Sequence, residues 1–133
     1  MIYDILEQKI LDQRLGVRGS TLFRNTLPDD CVVGVMTKAP LTGIPVDPYI
    51  RGQYHVDWQV VIRHTDPVEG NKLANDVAET FMVEAPEWHA ASREHGALSL
   101  KIFFPKTLPI QFPRLEGNGF EWSQHFTTVF SII

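Results

Sequence analysis

Cysteine is almost missing from this chain. Its one residue, Cys31, has no partner for an internal disulfide, so no covalent staple is expected. It sits in the apolar run "CVVGVM" and reads as a buried, inert thiol. Long hydrophobic runs are missing too: no stretch approaches the roughly 20 apolar residues of a membrane span. The opening "MIYDILEQKI" carries an early acid and no signal-length apolar run, so the expectation is synthesis in a cytoplasm without export. Positive charge is in short supply, with 12 Lys and Arg against 16 Asp and Glu and a net charge of −4. A protein that coats nucleic acid is expected to show a strongly basic face. A glycine-rich phosphate loop is lacking, as is a serine in a nucleophile-elbow setting.

What is present is an ordinary globular composition. Of 133 residues, 44% are hydrophobic and 21% charged. One domain spanning residues 1–133 is expected, because single cores of about 100 to 150 residues are the commonest size. Ile2, Leu6 and Ile10, flanked by Ile5 and Leu15, recur at helical spacing, with Gly16 as a plausible stop. Glu7, Gln8, Lys9, Asp12 and Gln13 would then take the solvent side. "STLFRN" and "CVVGVM" are short strand candidates, separated by the turn chemistry of "TLPDD". From Lys38 to Arg51 the chain reads "KAPLTGIPVDPYIR", a proline-stiffened loop that is apolar for its kind.

The clearest signal is the stretch from Arg51 to Gly70. Tyr54, Val56, Trp58, Val60 and Ile62 alternate with His55, Asp57, Gln59, Val61 and Arg63, the period of a strand with one buried face. At about eleven residues it is roughly twice the usual strand length. It ends at "TDPVEG", where Asp66 can cap a helix, Pro67 fits its first position and Glu69 completes a box-like start. Leu73, Val77 and Phe81, beside Ala74, Ala78 and Met82, line one face of that helix to about Glu84. The seam with the strand is then Trp58, Val60 and Ile62 against Leu73, Val77 and Phe81. Gly70 is a weak spot, costing about 1 kcal/mol against alanine. "EWHAASREHG" reads as a polar connection and "ALSLKIFF" as a strand. Prolines 105, 109 and 113 put any later pairing at an edge or break it by bends. Phe120, Trp122, Phe126, Phe130 and Ile132 share a face of a second over-long strand, interrupted by Gln124 and Thr128. The order predicts an α+β fold, a mostly antiparallel sheet with two helices packed on one face.

Chemistry is sparse. His89 and His95, with Glu87 and Glu94, are the one candidate metal set, but their spacing matches no i, i+4 pair or zinc-finger signature. They read as a solvated loop. His55 and Asp57 share the polar face of the long strand. They suit an acid–base pair, or equally cross-strand and intersubunit hydrogen bonds. No catalytic, metal or cofactor-binding residue is assigned.

The stretches "LPDDCVVGVM", "GIPVDPYIRGQYHVDWQVVIRHTDP" and "GNKLANDVAETF" together resemble the tail-terminator proteins of long-tailed bacteriophages, also called minor capsid or tail-completion proteins. The likeness runs from about Thr26 to Phe81 and weakens after Pro86. It implies a non-enzymatic virion subunit that forms a ring, usually a hexamer. The ring caps the tail tube, ends its polymerisation and joins tail to head or neck, with double-stranded DNA passing through its lumen. The implied partners are further copies of the chain, the tail tube protein and a head-completion or neck protein, with no cofactor and no membrane. Strands too long for one small sheet then extend toward neighbouring subunits, and ring closure removes exposed edges.

Within that frame Tyr49, Ile50 and Arg51 are the loop candidates for a subunit or tail-tube interface. His55 and Asp57 are the strand candidates. A lumen that lets DNA slide should not grip phosphates; the competing idea is a basic track of Arg51, Arg63, Lys101 and Lys106. The alternatives to a terminator are a neck or head–tail connector subunit, and a small ligand-binding or enzymatic α+β domain with Trp58 and Trp122 lining a pocket.

Overall fold

The computed structural model of the protein describes residues 3–17, 19–27, 33–38, 49, 52–82, 86–93, 96–105, 109–113 and 119–132. The first element is helix α1 (Tyr3–Asp12). It stops short of Gly16. Arg14 takes the left-handed conformation (φ 58°), and the amides of Arg14 and Leu15 donate back to the carbonyls of Leu11 and Ile10. This double return is the Schellman ending, built here on an arginine instead of a glycine. Ile5, Leu6 and Ile10 are buried as the spacing predicts. Glu7 departs from the expected solvent side: it is buried and ion-paired with Arg24. That guanidinium lies 5.1 Å from the centre of the Tyr3 ring, and the Tyr3 hydroxyl donates to Asn25 Oδ1 at 2.7 Å.

Among the described residues seven strands form one sheet: β1 (Leu22–Arg24), β2 (Gly34–Lys38), β3 (Gln53–His64), β4 (Glu87–His89), β5 (Leu98–Pro105), β6 (Ile110–Pro113) and β7 (Phe120–Ile132). Their order is β1-β2-β3-β7-β5-β4, with β6 also on β7. Only β1 and β2 run parallel; every other pair is antiparallel. The two over-long strands are each other's partners, in unbroken register from Gln53 opposite Ser131 to His64 opposite Phe120. Much of their length is therefore used inside the subunit. On its other side β3 is covered by β2 from Gln59 to Arg63 among the described residues.

Period-2 alternation sends Val56, Trp58, Val60 and Ile62 of β3 into the core, where Trp122, Phe126 and Phe130 of β7 meet them. Gln124 and Thr128, the polar interruptions, are buried with them. Helix α2 (Pro67–Thr80) packs on β3 and β7. Asp66 caps it as predicted, Oδ1 accepting from the amides of Val68 and Glu69 at 2.8 and 3.4 Å. The helix ends at Thr80, with Phe81 as its C-cap, and Glu84 lies outside the described residues. Val77 and Phe81 are fully buried, Leu73 is only partly so, and Met82 is 54% exposed instead of lining the core. Phe81 meets Phe126 edge-on at 5.0 Å, and Tyr3 of α1 meets Trp58 in the same way at 5.4 Å.

Gly70 proves to be a fitting point. A Cβ built there would sit 2.2 Å from Trp122 Cη2 and 2.8 Å from His64 Cβ. The missing side chain lets α2 settle onto the tryptophan, and a larger residue forces the helix off the sheet.

Candidate interaction surface

The odd-numbered side chains of β3 project to the face opposite the Trp58 seam. His55 and Asp57 are exposed there, as is His125 on β7. Register puts Asp57 opposite Thr127, and the Thr127 hydroxyl donates to Asp57 Oδ1 at 2.8 Å. Gln59 Nε2 donates diagonally to Ser123 Oγ at 3.0 Å. Arg63, opposite Glu121, donates from Nε and Nη2 to the same carboxylate oxygen at 3.1 and 3.0 Å. The result is a ladder of cross-strand polar pairs that fixes the long antiparallel β3–β7 pair in register.

Arg63 is 7% exposed, its charge engaged by Glu121. That removes it from any solvent-facing basic track. Tyr49 stands out at 93% exposure, the largest value for a hydrophobic side chain among the described residues. Ile50 and Arg51 lie outside the described residues, as do Cys31, Glu94, His95 and Lys106. The structure thus places His55 and Asp57 on one strand face.

Of the suspected metal set, Glu87 and His89 fall on β4, a strand that the polar sequence "EWH" did not announce. Glu87 accepts from Lys9 Nζ of α1 at 2.9 Å and is bonded to His89 Nε2 at 3.1 Å. Among the described residues no three His, Cys, Asp or Glu side chains converge on a metal site. Nor do Trp58 and Trp122 line a pocket: they are 1% and 0% exposed and belong to the core. Two surface grooves flank α1. One is bordered by Gln13, Leu15, Asp76, Glu79 and Thr80, the other by residues of α1 and β4 including Asp4, Lys9, Asp12 and Glu87.

The fold is a small α+β domain with a face of polar groups paired across β3 and β7. Residues 9–132 match the family described as bacteriophage tail terminator protein, and the chain belongs to that family. It is a structural component of a phage tail, and so of the virion. No curated protein matches the chain.

Proposed function

We propose that this chain acts by assembly, forming a ring of about six subunits that caps the tail tube and stops its polymerisation. The same ring joins the tail to the head or neck, and DNA passes through its lumen without specific binding. The observation that carries this reading is the family match over residues 9–132. Both helices share one core with the even-numbered side chains of β3, which supports placing them together on one face of the sheet. The opposite face, with His55 and Asp57, is then available to neighbours. Tyr49, Ile50 and Arg51 form the second contact, and the long strands reach toward the adjoining subunit. In this reading the protein is made in the host cytoplasm, works at the tail–neck junction, and needs no cofactor, membrane or catalysis.

The test has two parts. Mass measurement and electron microscopy of the purified chain, alone and with tail tube protein, should reveal a closed ring on the tube end. A phage lacking the gene should make tails of uncontrolled length. Tails of normal length that fail only to join heads would point to a neck connector and overturn the terminator role.

A further inference from the structure

β4 is an edge strand of three residues, paired with Leu98–Leu100 of an eight-residue β5. So short a strand adds few ladder bonds, and marginal pairing is expected of it. It gains little from burial either. Trp88, its central residue, is 62% exposed, beside the small Ser99 on the neighbouring strand. Yet the strand it covers is anchored deep: Leu98 and Leu100 are fully buried. β4 needs a tie to something rigid. That tie is Glu87, whose Oε1 takes Lys9 Nζ of α1 at 2.9 Å while Oε2 meets His89 Nε2 at 3.1 Å.

We propose that β4 is a latched strap over the β5 edge, held by the Lys9–Glu87 ion pair and loosened when either charge is lost. Asp4, Lys9 and Asp12 of α1, with Gln8, face the latch across the groove, and His89 faces it from β4 itself. Leu98, Ser99 and Leu100 of β5 bring no charge. Burial pushes the Glu87 carboxyl up, but hydrogen bonds from Lys9 and His89, and then their charges, outweigh it and hold the group below its usual value of 4.5. The sign follows from linkage: the latch is fully shut above that usual value and weakens as pH falls through the lower folded one. Because Glu87 remains 36% exposed, solvent screens the pair and the effect is modest. An uncovered strand edge is a template for another strand. The latch therefore sets how much of the β5 edge is on offer.

The test is residue-resolved amide exchange on the whole chain, wild type against Glu87→Gln and Lys9→Met. Exchange of the amides at Glu87–His89 and Leu98–Leu100 should rise about two- to fivefold, the range an exposed ion pair supports. The β3–β7 ladder and α2 should be unchanged. The swapped double variant Lys9→Glu with Glu87→Lys should restore slow exchange. Unchanged exchange at β4 in both single variants would overturn the proposal. So would a rise of equal size across α2, or a swap that fails to restore protection.

Discussion

Gly70 sets two physical rules against each other. By helix propensity, Gly70→Ala should stabilise an exposed helix by about 1 kcal/mol. Here the new methyl would lie 2.2 Å from the Trp122 ring, against a side chain with no exposed surface. Overpacking a full core costs roughly 1–3 kcal/mol, so the substitution is expected to destabilise. Urea unfolding checks the sign, and a raised midpoint would refute the close approach. Val77 and Leu73 are separated in the same way. Val77→Ala removes a fully buried side chain and should cost about 1–4 kcal/mol. Leu73→Ala, at the margin of the core, should cost less. Equal losses would mean that the seam reaches further out than Leu73.

At the scale of the element, the junction of β3 and α2 is the most legible part of the molecule. A period of 2 gives way to a helical period across an aspartate and a proline, and both caps and faces can be read from that change. The structure adds one detail: His64 Nδ1 accepts from the Asp66 amide at 2.9 Å, bracing the turn that presents the cap. Asp66→Ala should therefore cost about 0.5–2 kcal/mol in thermal or urea unfolding, and Asp66→Asn distinctly less, since asparagine caps nearly as well. Equal losses for the two would assign the effect to charge instead of geometry. Other elements were not legible, for physical reasons. β4 is three polar-flanked residues whose stability comes from Lys9, far away in sequence. Glu7 looks like a solvent residue until Arg24 arrives from β1 to neutralise it. Met82 leaves the face that the spacing predicts because the helix stops at Thr80, after which helical spacing no longer governs which way a side chain points. Of the interface candidates, pattern alone could put His55 and Asp57 on a polar strand face. The pairing of Asp57 with Thr127 needs the register of a strand seventy residues on.

At the scale of the whole molecule, the predictions concern assembly and DNA. Tyr49→Ser, at an exposed site, should leave folding within about 0.5 kcal/mol, and combined with Ile50→Ser should reduce formation of the proposed ring by mass measurement. Normal assembly would mean that the loop serves its own subunit. For the proposed lumen, charge sets the expectation. The chain carries 16 acids against 12 bases, and the one candidate track residue whose side chain is described, Arg63, is held by Glu121. A guanidinium committed to a carboxylate has little to offer a phosphate, and each phosphate that is neutralised adds a salt-dependent increment of affinity. A sliding surface needs few such increments. If the proposed ring forms, it is therefore expected to bind duplex DNA weakly at low salt, with little further loss at physiological salt. Glu121→Gln supplies the contrast: weakening the Arg63–Glu121 ion pair should raise DNA affinity at low salt if that side chain faces the proposed lumen, and leave it unchanged if it does not. Tight wild-type binding that falls steeply with salt would show instead that a continuous basic track grips the DNA end.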